Sequence, residues 1–198
     1  MLRFLVEYGA DLNLVAVDYN CTPVQKAAKE NKLAMLKLLL ELGADINGPH
    51  GEEGGTVHYA LSSGDERMVG FVLDNGAKIS DSDPEHSILC KALRPGLKAL
   101  LPALLKNGAE IDQTRFAKTA LGHSFENDDH DTIQFLLDHG ADFANVGAEV
   151  FIDAVRNKSL NDINKLLDHG VDPNCHTKWQ TPLAVSLPVI FSVLRVDP

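Results

Sequence analysis

The sequence predicts an all-α solenoid of stacked helix-turn-helix units joined by β-hairpin fingers, and three observations predict it. Glycines recur at positions 9, 43, 76, 108, 140 and 170, spaced by 34, 33, 32, 32 and 30 residues. Each sits in the same ending, as in Leu39-Leu-Glu-Leu-Gly-Ala-Asp-Ile-Asn47 and Leu166-Leu-Asp-His-Gly-Val-Asp-Pro-Asn174. Fifteen residues before each of the last five glycines lies the end of a helix-opening pattern, first seen as Thr22-Pro-Val-Gln-Lys-Ala-Ala28. A fixed period of this length marks one supersecondary unit that buries its apolar face only by stacking on its neighbours.

The units follow in order as a half repeat (1–21), five repeats (22–54, 55–86, 87–118, 119–148 and 149–180) and an abbreviated unit (181–198), together one domain over 1–198. The half repeat supplies a second helix ending at Gly9. In repeat 22–54, Thr22 is placed to accept a bond from an orphan N–H, and Pro23 suits the first helical position because its missing donor has no partner there anyway. Asn31 and Lys32 break the apolar pattern, after which Leu33, Leu36, Leu39 and Leu40 recur at helical spacing. Gly43 ends that helix, since a left-handed backbone costs glycine no Cβ clash. The polar, glycine-rich stretch from Asp45 to Gly54 reads as an extended β-turn finger.

Repeat 55–86 opens Gly55-Thr-Val-His-Tyr-Ala-Leu61, repeat 87–118 opens Ser87-Ile-Leu-Cys-Lys-Ala-Leu93, and repeat 119–148 opens Thr119-Ala-Leu-Gly-His-Ser-Phe125. In repeat 87–118, Pro102 falls in the first turn of the second helix, where proline is tolerated. Repeat 149–180 opens Glu149-Val-Phe-Ile-Asp-Ala-Val155, and the finger before it is shortened to Asn145–Ala148. Thr181-Pro-Leu-Ala184 starts the opener once more. The apolar run from Val189 matches no second helix.

This pattern resembles the ankyrin repeat, a unit of about 33 residues with a Thr-Pro-Leu-His-x-Ala opener, two antiparallel helices and a hairpin finger. The resemblance covers nearly the whole chain. Only Thr22-Pro23 and Thr181-Pro182 keep the Thr-Pro pair, and only His58 keeps the opener histidine.

Composition narrows the function classes. Of 198 residues 44% are hydrophobic and 23% charged, which is globular rather than disordered. With 18 Lys+Arg against 28 Asp+Glu the formal charge is -10, the opposite of what phosphate neutralisation needs, so neither nucleic acid nor membrane is expected as a partner. Cys21, Cys90 and Cys175 form no C-x-x-C pair and read as reduced thiols. The longest apolar run, Leu183–Leu194, is broken by Ser186, Pro188 and Ser192, and Glu7 and Asp11 interrupt the start before a signal core could form. The expected location is intracellular, cytoplasmic or nuclear.

Chemistry has few footholds. His139 and His169 occupy one repeat slot, shared with Tyr8, Leu42, Asn75 and Asn107, and stacked helices about 10 Å apart are too distant for shared zinc ligation. Cys175-His176 has no second pair at ligand spacing. The cluster His123, Glu126, Asp128, Asp129, His130 and Asp131 carries acid/base residue types, but no nucleophile or phosphate loop accompanies it. No cofactor, no metal and no enzymatic activity are expected, and a catalytic or small-molecule site around His123, Glu126 and Asp128 stands as the minor alternative.

The resemblance implies a protein-protein interaction scaffold that binds a protein partner on its concave finger and first-helix face. Three residues before each opener lies a finger tip, occupied by Tyr19, Glu52, Pro84, Phe116, Val146 and Lys178, with Trp179 next to the last. Exposed aromatics on a rigid frame are hot-spot material. The expected partner contacts are Tyr19, Phe116 and Trp179 on fingers, with Lys91, Arg94, Glu126 and Asp153 on first-helix faces. Charge is striped, +4 in 87–118 and -6 in 119–148, a pattern suited to partner selection. A second reading makes the array a spacer or docking arm of a larger multidomain protein, and the apolar tail from Val189 offers a surface for dimerisation.

Overall fold

The structure, a computed structural model, describes residues 1–49, 51–79, 87–113, 119–142, 147–168, 170–176 and 180–186. The chain divides into two compact units, Met1–Arg115 and Phe116–Pro198. The first holds α1 (Leu2–Glu7), α2 (Pro23–Lys29), α3 (Leu33–Glu41), α4 (Thr56–Ser63), α5 (Glu66–Asp74), α6 (Ile88–Ala92) and α7 (Leu101–Lys106), the last entered through a 3-10 turn at Lys98–Leu100. The second holds α8 (Ala120–Glu126), α9 (His130–Asp138), α10 (Gly147–Arg156) and α11 (Leu160–Asp168).

In the first unit α2, α4 and α6 are first helices of their repeats and pack in series, while α3, α5 and α7 each pair with the first helix before them. In the second unit α8 pairs with α9, α10 with α11, and α8 packs on α10. The repeating apolar positions make the core. Val24, Leu36, Val57, Leu61, Val69, Val72, Ile88 and Leu104 are fully buried in the first unit, as are Leu121, Leu136 and Leu166 in the second.

Local rules account for the helix ends. Thr22 Oγ1 accepts from Gln25 N (3.3 Å) while Gln25 Oε1 accepts from Thr22 N (2.9 Å), a reciprocal capping box, with Pro23 at the first position. Thr119 caps α8 through Gly122 N, and Pro102 lies in the first turn of α7 as the sequence predicts. Gly43 stands at φ +94 after α3, and the equivalent glycines 9, 76, 108, 140 and 170 are all at positive φ.

Three features depart from the sequence reading. The fingers were expected as β-hairpins, but among the described residues they carry only isolated bridges, Ala16 with Cys21 and Gly51 with Gly54, and no strands. Asn20 and Gly54 adopt left-handed backbone right at these bridges and turn the chain away after one pair. The opener at 87–93 is helical only over Ile88–Ala92, because Pro95 disfavours α backbone at Arg94. The finger expected over Asn145–Ala148 is shorter still, since α10 starts at Gly147.

Neighbouring repeats are tied by a bond that the periodicity alone does not announce. Asn13 Oδ1 accepts from Asp45 N (2.8 Å), and Asn47, one repeat later, accepts from Lys78 N (2.7 Å) and donates to Gly76 O (2.9 Å). Each asparagine thus satisfies backbone groups just after the next repeat's helix end.

Candidate interaction face

In the first unit the first-helix row and the finger loops converge on Glu53. Lys29 Nζ lies 2.6 Å from its carboxylate, Lys91 Nζ lies 3.5 Å away, and Ser62 Oγ donates to it. These residues come from three successive repeats. Tyr59, 2% exposed, sits beneath: its hydroxyl accepts from Glu53 N (3.1 Å) and donates to Asn20 O (3.2 Å). Burial pushes the Glu53 carboxyl up, but the hydrogen bonds from Lys29 and Ser62 and the charge of Lys91 overcome it and hold the group below the usual glutamate range. The Glu53 hydrogen bond raises Lys29 in turn. Burial raises the Cys21 thiol beside this cluster, so it is not a reactive thiolate.

Tyr19 stands on the first finger, 59% exposed, with Lys26 Nζ 4.1 Å above its ring. Such a cation over an exposed ring restrains the aromatic without hiding it. Lys91 is engaged on Glu53 with its side chain only 13% exposed, whereas Arg94, past the end of α6, is exposed. Phe116 and Trp179 lie outside the described residues.

In the second unit Glu126 and Asp153 line one cavity of about 230 Å³, floored by Phe125, Val150 and Leu166. Asp153 pairs with Arg156, which also donates to Gln180 Oε1 (2.8 Å). The acid/base cluster resolves into two separate pairs, His123 with Glu126 (3.8 Å) and His130 with Asp128 (3.3 Å). Among the described residues no three His, Cys, Asp or Glu side chains come together as a metal site. No helix among them is long and apolar enough to cross a membrane.

At three repeats the slot before the helix-ending glycine has a clear role. Asn75 Nδ2 donates to Phe71 O (2.8 Å), Asn107 Nδ2 to Ala103 O (2.8 Å), and His139 Nδ1 bonds Phe135 O (2.8 Å). These side chains satisfy carbonyls of the last helical turn. His139 is therefore a helix-ending residue.

Sequence reading missed Glu53, Lys29 and Tyr59 as a cluster. Lys29 lies past the quoted opener and Glu53 at the end of a finger, so no single repeat shows the grouping. Laying the repeats side by side would have put Lys29, Ser62 and Arg94 in one row and Lys26, Tyr59 and Lys91 in another.

Comparison with known proteins agrees with this architecture. A family model of ankyrin repeats (3 copies) matches residues 1–83 and 88–177. The chain belongs to the ankyrin repeat family. A putative ankyrin repeat protein, R598, of Acanthamoeba polyphaga mimivirus is 25% identical over 172 residues, covering 87% of this chain and 42% of the relative. The chain thus spans less than half of that relative's length. Among solved structures, the human ASB11 ankyrin repeat domain aligns with a TM-score of 0.67 at 24% identity, covering 100% of this chain and 92% of that one. The ankyrin repeat domain of Bcl-3, a member of the IkappaB family, aligns with a TM-score of 0.70 at 24% identity, covering 98% and 90%. Both likenesses concern the fold. Ankyrin repeat domains generally mediate protein-protein interaction and are typically non-catalytic.

Proposed function

We propose that this chain is a non-enzymatic protein-binding module whose fingers and first-helix faces contact the partner. The observation that carries this reading is Tyr19, an aromatic held half out in solvent on a finger by Lys26. Its frame is ordered before binding, through the Asn20–Tyr59 bond and the Glu53 cluster, so little entropy is lost on association. Phe116 occupies the equivalent tip in the repeat register and Trp179 the place after it, and Arg94, Lys91, Glu126 and Asp153 supply charge for selecting a partner. An intracellular location, cytoplasmic or nuclear, goes with this role.

A second reading has its own support. Because the chain spans only 42% of the mimivirus relative, the repeats also suit a docking arm within a larger protein.

The test compares the protein with its Tyr19/Phe116/Trp179→Ala variant as immobilised baits in native extract, with thermal melts of both. The expected result is a protein retained by the first and lost from the second, at unchanged melting temperature. A melting point lowered by many degrees would show that the aromatics are packing residues, and equal retention would move the interface elsewhere.

A further inference from the structure

The cavity of about 230 Å³ between α8 and the α10–α11 hairpin lies where repeat 149–180 breaks a rule that its neighbours keep. The position thirteen residues after the opener is Met68 in repeat 55–86, Leu100 in 87–118 and Thr132 in 119–148, and all three are buried. In repeat 149–180 the same position is Asp162, which is half-buried and lines the cavity. Ser159 Oγ donates to its carboxylate. A carboxylate in a core slot costs desolvation and leaves unfilled the space that an apolar side chain would take. Departures of this kind concentrate at functional sites.

The lining has two parts. Phe125, Val150 and Leu166 are buried and make an apolar floor. Glu126 and Asp128 of one repeat stand exposed at the edge, Asp153 and Asp162 of the next are half-buried, and among the described residues no Lys or Arg lines the cavity. Arg156 pairs with Asp153, His123 lies 3.8 Å from Glu126, and His130 lies 3.3 Å from Asp128. Repeat 119–148 as a whole has six acids and no Lys or Arg, so the field around the cavity is negative. The four carboxylates do not converge on a point, since among the described residues no three His, Cys, Asp or Glu side chains come together as a metal site. An apolar floor beneath separated carboxylates matches an alkyl stem that ends in a cation, the stem buried and the charged head kept at the wet edge. The volume falls below the roughly 300–1,000 Å³ of small-molecule sites, which leaves room for one side chain.

We propose that this cavity is a socket for one lysine or arginine side chain of the protein partner. The socket rests on the protein-binding reading and gives the chemistry of one contact within it. The partner's alkyl stem lies on Phe125, Val150 and Leu166, and its cation is held between Glu126 and Asp128 on one repeat and Asp153 and Asp162 on the next. Asp162 makes the socket in two ways: it is too short to fill the slot that Met68 fills, and it brings a negative charge to the cavity wall.

The test titrates N-acetyl-lysinamide and N-acetyl-argininamide into the isotope-labelled full chain and follows its backbone amide signals by NMR, with uncharged N-acetyl-norleucinamide and sodium chloride as controls. Saturable shifts in the millimolar range, confined to the residues that line the cavity, are expected from the cations and not from the controls. Asp162→Met sets the residue of Met68 in the same slot; it should fill the cavity, keep or raise the melting temperature and abolish the shifts. Asp162→Asn keeps the size and removes the charge, and should weaken binding of both cations by about fivefold. No saturable shift from either cation would overturn the proposal. So would equal shifts from norleucinamide or from salt, or unchanged binding by Asp162→Asn. The titration needs no partner, so an empty socket leaves the finger reading standing, while immobilised baits that retain no protein would overturn that reading whatever the titration shows.

Discussion

Gly51 shows how closely the finger approaches its neighbours. A Cβ built there would lie 2.3 Å from Tyr59 Oη, 2.4 Å from Asn20 O and 2.8 Å from Gln25 Oε1. Each of those atoms already holds a hydrogen bond: Tyr59 Oη with Glu53 N, Asn20 O with Glu52 N, and Gln25 Oε1 with Thr22 N. None can move aside without losing it. Gly51→Ala should therefore destabilise the protein by about 2 kcal/mol, in the range of overpacking, read as a lowered denaturant midpoint. An unchanged midpoint would mean that the finger is free to shift. Asp65 is different: the hydrogen bond from the Arg67 side chain, with further bonds from Asn31 and the Arg67 backbone, brings its partly exposed carboxyl down to about 2. It caps α5 and ties the Asn31 turn of the preceding repeat to the next one.

Each helical hairpin needs left-handed backbone at two places, and only one of them is visible in the sequence. The helix-ending position is glycine in every repeat. The turn between the two helices falls on Asn31, Gly64, Gly96, Asp128 and Lys158, all at positive φ and all nine residues after their opener. Glycine, asparagine and aspartate tolerate that conformation and lysine does so least, since its Cβ crowds the carbonyl. Lys158→Gly should thus stabilise the protein by about 0.5–1 kcal/mol, seen as a higher melting temperature. A decrease would show that the lysine side chain contributes more than its backbone costs. The varied residue types hid this position from periodicity, while the invariant glycine announced the other. The Asn13–Asp45 and Asn47–Lys78 bonds were hidden for a related reason. Their donor is a backbone N–H, which has no identity in sequence.

For the molecule as a repeat array, stability is the sum of the units and of the interfaces between neighbours. Glu53 bonds residues of three successive repeats in the first unit, so its ionisation acts on several interfaces together. Its carboxyl is lowered in the folded state, so its contribution is present above the ordinary glutamate value and is lost as pH falls through the folded one. Glu53→Gln should cost about 1–2 kcal/mol at pH 7, through weakened bonds to Lys29 and Lys91 that leave the largely buried Lys91 ammonium without its carboxylate partner. The gap between protein and variant should then close as pH drops below about 4.5, in paired urea titrations at several pH values. A gap that is constant with pH would mean that the cluster does not depend on the carboxylate charge.

The helix pairs, their capping residues and the leucine core were all legible before any coordinates, because each rests on a pattern that recurs within about 15 residues. Thr22, Pro23, Pro102 and the glycine series behaved as local physics requires. Tyr19 stood out in the sequence as an aromatic in a polar finger, and the structure adds that it is exposed there. The convergence on Glu53, the seat of Lys91 against it, the shared cavity of Glu126 and Asp153 and the single bridges at Ala16–Cys21 and Gly51–Gly54 in the described fingers needed the tertiary structure. They join side chains and backbone groups from different repeats, and stacking alone sets how close those groups come.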